Sequence, residues 1–226
     1  MKTQITVAMI ILTGFGFCSA VVEHDPALTI RECPHCRSRV VQEETISGNT
    51  IGATYWTDGK REAKMLPDHP WLAKCPVCVG LFFVDEAVEM NTGFELAAGK
   101  QKVLALSEKE LLNFLSGPAL SANKELYVRM CAWRSANDAW RWNLNERPAF
   151  SKDLVQSLHA LSEMLDEKEP NQRILKAEIA RELGEFDECL GLLSHSLDER
   201  YGYAVGFIKK LAEEKLRVVK AFAPAK

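Results

Sequence analysis

Two tetrapeptides carry most of the chemistry legible in this chain: CPHC at 33–36 and CPVC at 75–78, separated by 38 residues. A Cys-x-x-Cys pair on a tight turn points both sulfurs to one side, and the proline after the first cysteine helps to fix that turn. Two such turns brought together present four thiolates in a tetrahedron. That geometry suits zinc, a d10 ion with no directional preference of its own, and iron is a second possibility for four sulfurs. Cys33, Cys36, Cys75 and Cys78 are therefore the expected ligands of one structural zinc ion. The other three of the seven cysteines, at 18, 131 and 189, stand alone. A disulfide scaffold would instead show evenly paired cysteines in a shorter chain.

The segment between the motifs is what a zinc ribbon needs. It is β-branched and aromatic at SGNTIGATYW (47–56), and TDGK (57–60) places Asp-Gly between two strand candidates, a strong hairpin signal. Cys-Pro-His-Cys also resembles the active-site tetrapeptide of thiol oxidases with the thioredoxin fold. That resemblance implies Cys33 as nucleophile, tuned by His35, on a helix N-terminus. The residues after the motif, RSRVVQEETI, are β-branched and turn-rich, and the second Cys-x-x-Cys would be left unexplained. Local disulfides within the pairs are a third alternative.

Nucleic acid is a poor match as a partner. Residues 21–80 carry seven Lys/Arg against eight Asp/Glu, and four thiolates around a divalent ion add two further negative charges. A local cluster of Arg31, Arg37, Arg39, Lys60, Arg61 and Lys64 is the basis for keeping a nucleic-acid-binding ribbon as an alternative. A protein or peptide partner is the leading expectation. Tyr55, Trp56, Asp58 and Lys60 form one candidate interaction surface, to which Trp142 is added. The structural alternative is that Trp56 and Trp71 complete a small core beside the metal. Asp68-His69 has no partner nearby in sequence and reads as solvated loop.

The elements behind these residues are of two kinds. The chain has 226 residues, net charge −3 and 47% apolar content, enough for one large or two small domains with a real core. The expected fold class is α+β: a small β-rich module at 21–84, a connection at 85–105 and an α-helical domain at 106–226. Ser107 and Glu110 form a capping box that starts a helix stopping at Gly117-Pro118. A long helix is expected over 123–145, with Leu126, Met130, Trp133, Asn137, Trp140 and Leu144 on one stripe. Asn137 interrupts that apolar stripe and requires a buried hydrogen-bond partner. Arg134, Asp138 and Arg141 read as a surface ion-pair ladder. Leu154, Leu158, Leu161 and Leu165 mark the next helix. Further helices are expected from a cap at Asn171 to Leu183, at 186–197 and at 202–220.

The stretch AEIARELGEFDECLGLL (177–193) resembles the centre of a tetratricopeptide repeat. Gly184 stands where that family ends one helix and Phe186 where an aromatic opens the next. Ala177, Cys189 and Ser196 stand at its small positions; Arg173, Lys176 and Tyr201 depart from its pattern. Only one unit, about 34 residues long in that family, is recognisable. The whole chain resembles a group of uncharacterised bacterial proteins through its two Cys-Pro-x-Cys motifs, SGNTIGATYWTDGK, MLPDHPWLAKCPVC and a helical tail with Asn137-Asp138. That resemblance implies a zinc-ribbon head on a repeat-like tail and no enzymatic activity.

Residues 1–20, MKTQITVAMIILTGFGFCSA, have the layout of a secretory signal peptide: Lys2, an apolar stretch from Ile5 to Phe17, then small residues at a cleavage site after Ala20. A cleaved signal implies a periplasmic or secreted protein. A buried N-terminal strand, or an upstream extension with the working start near Val21, implies a cytoplasmic one.

Overall fold

The computed structural model describes residues 27–44, 48–64, 66, 70–90, 101–117, 119–143, 147–195 and 197–222. The signal-like segment, Asp68-His69 and Ser196 lie outside them. The described elements are β1 (Ala27–Glu32), β2 (Arg39–Glu44), β3 (Thr54–Tyr55), β4 (Arg61–Glu62), β5 (Leu72–Lys74), β6 (Leu81–Phe83) and β7 (Val88–Met90). After them come α1 (Glu108–Leu115), α2 (Ala122–Asp138), α3 (Lys152–Met164), α4 (Pro170–Leu183), α5 (Phe186–Ser194) and α6 (Gly202–Glu213). The mixed α+β class expected from the sequence is the class observed. No helix among the described residues is long and apolar enough to cross a membrane.

The described chain falls into two compact units. The first, the cysteine unit, comprises the described residues up to Ala53 and Glu62–Ala132. Here β1 and β2 form an antiparallel hairpin with Ala27 opposite Glu44 and Glu32 opposite Arg39, and CPHC is the turn between them. β7 pairs with the other edge of β1. Alternation along β2 serves two small cores, because successive side chains of a strand point to opposite faces. Val40 packs with Cys33, Ala73, Cys75 and Phe82, and Val41 packs with Ile30. β5 and β6 repeat the pattern, with CPVC as their turn. Trp71 closes the unit against Phe83 and Tyr127, at ring-centroid distances of 5.2 and 5.4 Å, and its amide donates to the Tyr127 hydroxyl at 2.8 Å. The Ser107–Glu110 capping box is present as expected, and Glu110 also binds Lys74 of β5 at 2.5 Å.

The second, the helical unit, comprises Thr54–Arg61 and the chain from Trp133 onward. This division differs from the one drawn along the sequence. The boundary falls within α2, and a short stretch from between the two cysteine motifs is grouped with the helices. The helical core gathers Ile174, Ala177 and Ala180 of α4, Cys189 and Leu193 of α5, Tyr201, and Ile208 and Ala212 of α6. Gly184 ends α4 with φ +91°, in the left-handed region, and Phe186 opens α5.

Four expected boundaries shift, among them α5, which ends at Ser194 instead of 197. α2 ends at Asp138 instead of 145, because the chain then turns, with the Trp140 amide donating to the Asn137 carbonyl at 2.8 Å. Trp140 therefore leaves the helical stripe. α4 starts at Pro170, without a side-chain cap, and the Asn171 side-chain oxygen is buried without a partner. α6 ends at Glu213 instead of 220: Lys215 adopts φ +55°, and 216–222 is irregular apart from an isolated antiparallel bridge of Ala221 to Trp56. That segment returns to residues 55–57, with Thr57 N–H donating to the Lys220 carbonyl at 2.9 Å and Phe222 N–H to the Tyr55 carbonyl at 2.8 Å.

Two glycines of the α4–α5 hairpin make opposite demands. An alanine at Gly184 must hold a positive φ, whereas Gly191 lies inside α5 with open space around a new Cβ. Urea denaturation should show Gly184→Ala less stable by about 1 kcal/mol and Gly191→Ala more stable by about 0.5–1 kcal/mol.

Candidate metal centre

Strand–turn–strand packing brings all four motif cysteines together. Their Sγ atoms all lie within 4.8 Å of one another. Two of the separations between the motifs are Cys33 to Cys78 at 3.8 Å and Cys36 to Cys75 at 3.7 Å. A disulfide would need about 2.05 Å, so these are free thiols. A tetrahedral ion with metal–sulfur bonds of about 2.3 Å puts its sulfurs roughly 3.8 Å apart. Two separations match that spacing, and all four sulfurs are close enough together to hold one metal ion. Cys33 and Cys75 are fully buried and form the floor of the site, and Cys36 and Cys78 are its partly exposed rim.

The two turns are near copies. Arg37 N–H donates to the Cys33 carbonyl at 2.9 Å and Cys33 N–H to the Ser38 carbonyl at 2.9 Å. Val79 N–H donates to the Cys75 carbonyl at 3.0 Å and Cys75 N–H to the Gly80 carbonyl at 3.0 Å. Each turn closes on a residue with positive φ, Arg37 at 62° and Val79 at 56°. A β-branched residue there is strained, and the backbone hydrogen bonds of the turn on either side hold Val79, itself 62% exposed, in that conformation. Neither motif opens a helix: CPHC leads into β2 and CPVC into β6. The helix N-terminus that activates the first cysteine of a thioredoxin-like site is not formed at either motif.

Electrostatics favour a cation between the sulfurs. Hydrogen bonds from the Ser38 side chain and amide pull the Cys36 thiol down to about 6. The Gly80 amide lowers Cys78, but burial and three neighbouring sulfurs outweigh it and push that thiol up to about 12. Burial also raises Cys33. Thiolates this close oppose one another's ionisation unless a positive ion sits among them. His35 is not in the ligand group. Its Nε2 donates to the Leu81 carbonyl at 2.7 Å, which fixes the Nε2–H tautomer. A Cβ at Gly80 would lie 2.7 Å from His35 Cδ2, so only glycine there leaves room for the imidazole. The histidine of the first turn thus ties down the second, a role that its place in the sequence did not suggest.

The expected interaction residues separate. Trp56 and Asp58 are fully buried in the helical unit and form no surface. Trp56 meets Trp142 edge to face at 4.9 Å and lies under the Arg141 guanidinium at 5.1 Å, so its core is helical and not the cysteine core. Tyr55 is half-buried, and Lys60 binds Asp138 at 2.7 Å. Trp142 remains 72% exposed. Asp58 accepts four hydrogen bonds: from the Lys60 amide at 3.1 Å, from Arg141 Nη1 at 3.1 Å and Nη2 at 2.7 Å, and from Asn137 Nδ2 at 3.2 Å. Arg141 is therefore no rung of a surface ladder. Its guanidinium is buried in a bidentate pair, with Asp138 on its Nε at 2.7 Å.

Asn137 finds the buried partners its position demanded, Asp58 and, at 3.1 Å, Glu182 Oε1. Beyond it lies a charged group that the sequence did not announce. Glu178 and Arg181 pair at 2.8 and 2.5 Å inside α4, and Arg181 donates to the Val218 carbonyl at 3.1 Å and to the Leu216 carbonyl. Glu182 accepts at bonding distance from neutral donors, Asn137 and Trp133 Nε1, the latter at 3.1 Å. Arg147 and Arg181 stand 3.9 Å off. One signal was available: residues 177–182 place three charges among Ala177, Ile179 and Ala180, which leaves α4 no purely polar face.

Comparison with known protein families, with curated proteins and with solved structures finds no match to this chain.

Burial, with the Glu178 charge second, raises the Glu182 carboxyl from 4.5 to about 8, against the opposing pull of Arg181 and Arg147. The folded chain then keeps a proton that the unfolded chain loses above about pH 4.5. The resulting stability is full below that pH and is lost as pH rises through 8. Denaturant titrations should show stability falling between pH 5 and 8, with a flatter profile in Glu182→Gln. An unchanged profile in that variant would exclude Glu182 as the source.

Proposed function

We propose that this chain is a non-enzymatic, zinc-stabilised protein-interaction module: a zinc-ribbon head with a tetratricopeptide-like helical body that binds a protein or peptide partner. The carrying observation is the closed ligand set. Four cysteine sulfurs within 4.8 Å of one another, two of the separations at 3.7 and 3.8 Å, would satisfy a zinc ion completely and leave no position for water or substrate, the mark of a structural rather than a catalytic site. The all-sulfur donor set favours zinc over hard cations, which prefer oxygen.

Three further features support the reading. Each Cys-Pro-x-Cys joins two antiparallel strands, as a ribbon requires. The α4–Gly184–α5 turn, with Ala177 and Cys189 fully buried, matches what the repeat resemblance implies. Exposed Trp142 is a large apolar side chain available to a partner.

Metal analysis of the purified full chain should give about one zinc per chain. Cys33→Ser and Cys75→Ser should each lose it, together with most of the folding free energy of the cysteine unit, on the order of 10 kcal/mol. Metal-free protein carrying disulfides would refute the proposal. Thiol oxidation or insulin reduction abolished by Cys33→Ser alone would favour an oxidoreductase instead.

A further inference from the structure

Residues 54–61 occupy an unusual place in the chain. They lie within the 38 residues that join Cys36 to Cys75, so both ends of that stretch are anchored at the metal centre. Yet they belong to the helical unit. There Trp56, Thr57 and Asp58 are buried to within 2% of full burial. The Asp58 carboxylate takes both Nη atoms of Arg141. Tyr55 and Thr57 supply the backbone partners of Phe222 and Lys220. Removing this segment takes a bidentate acceptor from a buried guanidinium and one of two carboxylate acceptors from the Asn137 amide, a severe cost in a low-dielectric interior.

We propose that metal occupancy of the four-cysteine site controls the order of the helical unit through this segment. The proposal rests on the zinc reading. A bound ion joins Cys36 to Cys75 and closes the loop that carries residues 54–61. Without the ion, residues 62–132 lose the fold that zinc stabilises and become a long flexible connection, and holding 54–61 against the chain from Trp133 onward then has a loop-closure cost that the helical unit must meet each time the segment docks. The segment spends less time in place, and Arg141 and Asn137 lose the Asp58 acceptor for that time. Linkage makes the effect reciprocal: whatever weakens docking of Asp58 weakens metal binding by the same factor.

Hydrogen exchange on the full zinc-loaded chain, before and after removal of zinc by a chelator, tests this. Exchange in α4 and in 216–222 should accelerate by about fivefold or more after chelation, within the roughly 5- to 150-fold range of typical coupling. Asp58→Asn should lower zinc affinity by a matching factor. Should that variant fold poorly, the wild-type comparison decides alone. Faster exchange confined to β1, β2, β5 and β6, with α4 unchanged, overturns the coupling and leaves the zinc site standing. A zinc affinity unaltered in folded Asp58→Asn also overturns it. A chain that binds no zinc at all overturns both.

Discussion

Four thiol sulfurs within 4.8 Å of one another are the constraint on which the cysteine unit depends. The strands around them are short: β5, β6 and β7 have three residues each. The apolar residues are few, with Val40, Ala73 and Phe82 around the buried cysteines and Ile30 and Val41 on the other side of the hairpin. Clusters of that size supply little hydrophobic free energy of their own, and small folds of this kind depend on a metal or disulfides. Left without a cation, the sulfurs would oppose one another's ionisation, as the high position of Cys78 shows. With one, they become the strongest bonds in the unit. The positive φ of Val79 and the fit of His35 over Gly80 are local costs that such bonds can hold in place.

The helical unit solves a different problem. Asp58, Asn137, Glu178, Arg181 and Glu182 are fully buried, and Arg141 nearly so. Burying ion pairs is weak ground for claiming stability, since desolvation offsets most of the attraction. Their value here is in register. Asp58 binds Arg141 and Asn137 in one geometry only, and Arg181 reads the carbonyls of 216 and 218. Together they fix which residues of the TDGK turn and of the C-terminal segment meet the helices. An apolar core of the same volume would specify that less sharply.

The four-cysteine cluster was legible because its signal is local: four residues of one type in two identical spacings. The α1 cap and the Gly184 turn were legible for the same reason. The long-range features were not. Asp58 and Lys60 looked like the tip of an exposed hairpin, because Asp-Gly turns usually face water, and nothing in TDGK names Arg141 as its partner. Arg134, Asp138 and Arg141 have the spacing of a surface ladder, and only the end of α2 at Asp138 turns Arg141 inward. The helix expected over 202–220 follows the helical periodicity, which does not show where it stops. Its last residues are not helical because Arg181 and the 55–57 backbone satisfy their polar groups. Asn137 was the exception, since a polar residue on an apolar stripe announces that it has a partner without saying which.

The central claim is that these four sulfurs, and nothing else, hold one zinc ion. X-ray absorption at the zinc edge of the purified full chain tests it most directly. The account predicts a first shell of four sulfur atoms at about 2.3 Å. A shell containing nitrogen or oxygen, from His35 or from water, would contradict it.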